Sequence, residues 1–166
     1  MADTPLTVIG AGVAGLAVAA RLAERFPELV ILERRERYGS ETSSRNSEVI
    51  HGGMYYPTGS WKARLCVEGN RRLYDFCARH DVPHRRIGKV IVAAVLSELG
   101  QLDAILSRGR ANGVEMRFLT AREMNELEPH VRSVGALFSP HTGILSAHGL
   151  MDALLAQVRA AGATTQ

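Results

Sequence analysis

Lysine is nearly missing from this chain: Lys62 and Lys89 are the only two, so eighteen of the twenty basic residues are arginine. The arginines fall singly or in short pairs such as Arg34-Arg35, Arg71-Arg72 and Arg85-Arg86, and aromatics make up 5% of the residues. With a net charge of +3 and no basic stripe interleaved with aromatics, a nucleic-acid partner is not expected. Cysteine occurs twice, at 66 and 77, in what reads as one helix. About three turns separate the two, too far along the axis to bridge. A disulfide scaffold is therefore excluded, and two buried thiols in a reducing cytoplasm are expected. No apolar run is long enough to span a bilayer. The stretch 8–20 comes nearest, but three glycines interrupt it, and Asp3 stands where a signal peptide would carry positive charge. The expectation is a cytoplasmic protein, at most peripheral to the inner face of the membrane. Internal repeats, low-complexity tracts and long linkers are missing as well.

What is present is globular in composition, 46% hydrophobic and 22% charged over 166 residues, enough for one domain or part of one. The opening, LTVIGAGVAGLAVAARLAERFPELVILER, holds a short apolar run at 6–9, then Gly10, Gly12 and Gly15, then helical sequence to Phe26 with Pro27 as its stop. A second apolar run at 29–32 ends at Glu33. This is strand, turn, helix, strand. Gly10 suits the tight turn, Gly12 lets the backbone approach a pyrophosphate, and Gly15 lets helix and strand pack closely. The helix start offers N–H groups and partial positive charge to phosphates. Glu33 falls where an acid accepts hydrogen bonds from both ribose hydroxyls of an adenosine. Arg34 beside it joins the cofactor-binding candidates. The alternative is that the glycines only permit close packing.

The next segment, TSSRNSEVIHGGMYY at 42–56, separates two kinds of dinucleotide. Thr42, Ser43, Ser44, Asn46 and Ser47 could donate to further phosphate and ribitol oxygens, and SRNSEVIHGG could start a short helix aimed at them. Gly52-Gly53 beside Tyr55-Tyr56 would let backbone lie against a flat ring system, which suits a flavin better than a nicotinamide. His51, in the flavin-facing position, could take a proton from a substrate hydroxyl. It could equally hydrogen-bond the flavin or orient the loop. Tyr55 and Tyr56 are candidate substrate or ring contacts, with core packing as an equal alternative. A solvated Ser/Thr loop followed by a turn is the plain reading of the same residues.

The motifs RNSEVIHGGMYYPTGSWKARLCVEGN (45–70), GKVIVA (88–93), ELEP (126–129) and PHTGIL (140–145) resemble, in order, the N-terminal part of the FAD-dependent D-amino-acid-oxidase-like superfamily. Within it they are similar to the L-2-hydroxyglutarate dehydrogenase/oxidase family. FAD-dependent glycerol-3-phosphate dehydrogenases share the His-Gly-Gly run, but usually carry Arg-Tyr where this chain has Tyr55-Tyr56 and lack PTGSWKARLC. The resemblance implies an α/β fold, a Rossmann-like FAD-binding domain with part of an α+β substrate domain. It also implies FAD as cofactor, a 2-hydroxy acid as substrate, and a quinone or oxygen as electron acceptor. Glycerol 3-phosphate or an amino acid is the second substrate class, and a non-catalytic nucleotide-binding fragment needing a partner chain the reading from another class. The resemblance covers well under half of the family's usual length. The expectation is a truncated or split form, marginally stable and inactive alone, with two parallel strands in its nucleotide-binding sheet.

Further along, residues 1–80 read as the FAD-binding βαβ, flavin loop and following helix, 81–148 as a partial substrate region, and 149–166 as a return helix. Ser60 caps a helix to His80, and 89–95 reads as a strand. A helix at 99–111 stops at Asn112-Gly113, and Thr120 to Glu123 forms a capping box. A short strand covers 136–138, and an amphipathic helix covers 149–161. His80 and His84 flank Pro83 and His130 follows Pro129, so all three read as exposed loop residues, while His141 and His148 are ambiguous. No histidine cluster has the spacing and company of a metal site.

Overall fold

The computed structural model describes residues 5–166, so Asp3 lies outside it. By mutual contact the chain divides into two compact units. Residues up to Glu48, together with 77–83 and 145–166, form the first; residues 49–76 and 84–144 form the second. The expected boundary at residue 80 is not where contacts divide. Residues 49–76 belong with the 84–144 segment, because the Gly52-Gly53 backbone and most of the long helix share one packing environment.

The first unit is built on β1 (Thr7–Ile9), α1 (Val13–Ala23) and β2 (Val30–Leu32). Beta-branched and aliphatic residues make the strands, and the Ala/Leu-rich run between them makes the helix. A third parallel strand, β9 (Thr164–Thr165), pairs with β2, giving the order β1-β2-β9. The expectation of two strands is thus corrected. The polar pair Thr164-Thr165 carries no apolar signal, yet its backbone continues the ladder: the Thr164 amide donates to Leu29 and the Gln166 amide to Ile31. Helix α5 (Ala147–Ala160) packs on α1, with Ser146 Oγ capping it by accepting from the Gly149 amide. Leu16, Ala19 and Ala23 of α1 are buried, as are Leu29, Ile31, Met151, Leu155 and Val158. The small residues on α1 leave room for α5 and the sheet to approach.

The second unit centres on the antiparallel sheet β5-β7-β6, formed by Lys89–Ala93, Gly135–Ser139 and Arg117–Leu119. Successive residues point to opposite faces. Leu137, Ile91 and Ala93 join a core with Met54, Leu102, Leu106, Val114 and Met116, under α3 (Leu99–Ala111). Ala136, Phe138 and Val90 turn to the other face, with Leu119 and Met124 of α4 (Ala121–Leu127). Thr120 caps α4 in a capping box with Glu123, as the sequence predicts. A second small sheet orders β3 (Val49–Ile50), β8 (Gly143–Leu145) and β4 (His84–Arg85). His84 is therefore a half-buried strand residue, its ring tilted against Tyr74, and not the exposed loop residue expected. Helix α2 spans Trp61–Arg79. Its Cys77 is buried, while Cys66 is only partly so.

Candidate functional site

The glycine turn between β1 and α1 has a shape that side chains would destroy. Gly10 takes a left-handed φ of +95°, and a Cβ at Gly15 would overlap the Gly10 carbonyl oxygen, so the helix starts jammed against the strand end. A Cβ at Gly12 would stand 3.0 Å from Ser43 Oγ. Gly12 heads α1 without a capping side chain of its own. Ser43 supplies the cap from thirty residues away, its Oγ accepting from the Val13 amide at 3.0 Å. The other end of the turn is fixed by Glu33 at the end of β2. One carboxylate oxygen accepts from the Ala11 amide at 2.9 Å, and the other from the Arg35 amide at 3.0 Å.

These groups surround one hollow of about 420 Å³, lined by Ile9, Gly10, Gly12, Leu32, Glu33, Arg34 and the segment 39–43. It lies past the carboxyl ends of β1 and β2, the place where open α/β sheets bind ligands. Its floor is mixed: Ile9 and Leu32 leave apolar surface exposed there, beside the carboxylate and the hydroxyls. Gly10, Gly12, Glu33, Arg34, Thr42 and Ser43 are thus brought together as the sequence predicts, with Gly15 beneath them as a packing residue. The donor set and the bare glycine backbone fit the adenosine and pyrophosphate part of a dinucleotide. Arg34 is turned to Glu41, donating to Oε1 from Nε at 3.1 Å and Nη2 at 2.6 Å.

Asn46 and Ser47 do not line this hollow. The expected helix at 44–53 is absent, replaced by one 3-10 turn at Thr42–Ser44 and the short β3. Asn46 shapes the loop instead: Nδ2 donates to the Ser43 carbonyl, and Oδ1 accepts from the amide of Glu48, whose φ is +56°. Local side-chain bonding of this kind competes with helix formation.

The two Glu33 amide bonds hold its carboxyl below the ordinary value of 4.5, the Ala11 amide acting most and the Arg35 amide next. A depressed carboxyl adds stability above its unfolded value and loses it as pH falls through the folded one. Glu33→Gln should therefore leave stability at pH 7 reduced and flatten part of its decline below pH 4.5. Unfolding by urea from pH 3 to pH 7 checks this; identical pH profiles for both forms would refute it.

In the second unit a small hollow is lined by His51, Gly52, Gly53, Met54, Tyr55, Tyr56, Lys89 and Thr142. Gly53 takes a φ of +95°, and a Cβ there would stand 2.9 Å from Val67 of α2. Gly52 is buried, its missing Cβ filled by Met54. His51 keeps a solvent-accessible imidazole while its main chain is tied down. Its carbonyl accepts from Asn70 Nδ2 at 3.2 Å and from Cys66 Sγ at 3.5 Å. The same Asn70 amide donates to the His141 carbonyl at 2.9 Å. Desolvation first, and the Lys89 ammonium second, hold the His51 imidazole below its ordinary 6.5. A neutral imidazole can accept a proton.

Sequence reasoning missed Asn70, Asn112, Lys89 and Thr142. Asn70 is a buried polar residue in mid-helix, the one usable signal, since such a side chain must find partners. Asn112, read only as a helix stop, donates from Nδ2 to the carbonyls of Gly53 and Tyr56 at 3.1 and 2.9 Å. Among the described residues no three His, Cys, Asp or Glu side chains gather as a metal site would need, and no helix is long and apolar enough to cross a membrane.

Comparison with known proteins agrees with this geometry. The model of the family described as FAD dependent oxidoreductase matches residues 6–165. The mitochondrial L-2-hydroxyglutarate dehydrogenase of Arabidopsis thaliana is 48% identical over 149 residues, which is 89% of this chain and 31% of that protein. The L-2-hydroxyglutarate dehydrogenase of Salmonella houtenae is 34% identical over 157 residues, 93% of this chain and 37% of that protein. The chain thus spans about a third of the length of these relatives. Among solved structures, FAD-bound L-alpha-glycerophosphate oxidase from Mycoplasma pneumoniae superposes with a TM-score of 0.92 at 24% identity, over 100% of this chain and 45% of that one.

Proposed function

Since the chain belongs to the FAD dependent oxidoreductase family, we propose that it holds FAD and serves the oxidation of a 2-hydroxy acid, L-2-hydroxyglutarate to 2-oxoglutarate. What carries this reading is the convergence of Gly10, Gly12, Glu33, Thr42 and Ser43 on one hollow, in a chain whose relatives are named L-2-hydroxyglutarate dehydrogenases.

FAD, when bound, supplies a two-electron oxidation. The chain's own residues do the rest. The Gly10 to Gly15 turn and the start of α1 receive the pyrophosphate on backbone N–H groups. Ser43, whose oxygen already accepts from Val13, retains its proton to donate outward. Glu33 stays ionised and accepts from ribose hydroxyls on the lone pairs its two amide bonds leave open. His51, kept neutral near pH 7, takes the hydroxyl proton from the substrate, with Tyr55 and Tyr56 beside it. A quinone or oxygen would be the electron acceptor.

The test is to purify the chain from cells supplied with FAD, record its visible spectrum before and after acid precipitation, and add L-2-hydroxyglutarate without oxygen. Flavin bands near one per chain, bleached by that substrate, are expected. A colourless protein would overturn the claim that these residues hold the cofactor by themselves.

A further inference from the structure

The two lysines of this arginine-rich chain lie against two neighbouring tyrosines. Lys89, the first residue of β5, carries its ammonium 4.8 Å from the centroid of the Tyr55 ring. Lys62, in the first turn of α2, carries its own 4.6 Å from the centroid of the Tyr56 ring. The tyrosines are neighbours in the turn after Gly53, and Lys89 shares the hollow with His51, both tyrosines and Thr142.

Six arginines, Arg21, Arg34, Arg35, Arg72, Arg117 and Arg122, each pair with a glutamate. Among the described residues, neither lysine has a carboxylate within ion-pair distance. Each ammonium lies over an aromatic ring and has no carboxylate partner among the described residues. Two such charges on adjacent rings make a local positive potential that draws in anions.

The choice of lysine is also informative. An ammonium is compact and turns its three donors freely, whereas a guanidinium is a wide planar fork. Arginine stands at every other basic position, so a lysine at each of these two is a departure from the chain's own habit.

We propose that the Lys89 ammonium binds the carboxylate remote from the carbon being oxidised, with Lys62 adding to the same positive field, so that the site selects 2-hydroxy acids that are dicarboxylic. This rests on the 2-hydroxy-acid reading above and extends it by naming the residue that selects among such acids. His51 serves the hydroxyl; Lys89 serves the far end of the molecule.

Titration calorimetry on the purified chain tests it, with 2-oxoglutarate and the monocarboxylate 2-oxobutyrate as probes against wild type, Lys89→Met and Lys89→Arg. Methionine keeps a side chain of similar length and removes the charge. Lys89→Met should weaken 2-oxoglutarate about tenfold or more, Lys89→Arg should weaken it less, and 2-oxobutyrate should change far less than either. Melting temperature and flavin content should stay at wild-type values in both variants. Equal 2-oxoglutarate affinity in wild type and Lys89→Met, an equal loss for both probes, or no binding of 2-oxoglutarate to wild type would overturn the assignment. Flavin content is read separately on the same samples. A wild-type chain without flavin counts against the proposed function and leaves the comparison of lysine variants to decide this point.

Discussion

Replacing Gly15 with alanine is expected to cost about 3 kcal/mol or more of stability and to strip the protein of flavin. The added Cβ would overlap the Gly10 carbonyl oxygen, and Val8 Cγ1 lies 3.6 Å away on the next side. The obstacle is backbone, so no side chain can swing aside. Relief requires lifting the start of α1 off β1, which breaks the Val13 amide from Ser43 Oγ and the Ala11 amide from Glu33. The same exchange at Gly69, in the middle of α2 with open space around it, should instead stabilise by about 1 kcal/mol. Urea unfolding and flavin absorbance on both variants check the pair. A Gly15→Ala protein as stable and as yellow as wild type would remove the close approach of helix and strand from the account.

Changing His51 to asparagine is expected to lower the rate of substrate-dependent flavin bleaching by roughly 10² to 10⁴, the usual worth of a positioned base. Flavin content should not change. The main chain at His51 is held through its carbonyl by Asn70 and Cys66, so loss of the ring leaves the turn in place. The pH dependence follows from the direction of the shift. Desolvation, aided by Lys89, keeps the imidazole below 6.5, and only its neutral form accepts a proton. The wild-type rate should therefore rise with pH through a midpoint below 6.5 and be level at pH 7. Stopped-flow bleaching between pH 5 and pH 8 measures it. A variant within threefold of wild type, or a wild-type midpoint above 7, would move the base to another residue.

The parts legible in the sequence were those with a period or a steric demand. The Gly10-Gly12-Gly15 spacing, the Glu33 position, the Thr120 capping box and the α3 boundaries all follow from local rules that tertiary structure had no reason to override. The short strands escaped because two residues show no alternation: β3, β4 and β9 exist through pairing with distant partners. Thr164-Thr165 carries no apolar signal and becomes a sheet strand only because Leu29 and Ile31 offer carbonyls. In the polar loop, composition indicated hydroxyls for phosphates but not their division of labour. Ser43 caps a helix thirty residues earlier, and Asn46 turns inward to its own loop. Lys89 gave no signal by itself, since one cation at the start of a strand has no pattern around it.

Asn112 closes α3, and both its N–H bonds reach the carbonyls of Gly53 and Tyr56, while Arg108 Nη1, one turn earlier, reaches the Tyr55 carbonyl at 3.4 Å. The turn that carries both tyrosines is thus clamped by the tail of a helix distant in sequence. One residue inserted into α3 would swing that tail by about 100° and carry it about 1.5 Å along the axis, away from all three carbonyls. Substitutions on the solvent side of α3 would leave the clamp untouched. Natural variation on the solvent side of this helix is therefore free to rewrite letters but not to insert or delete them.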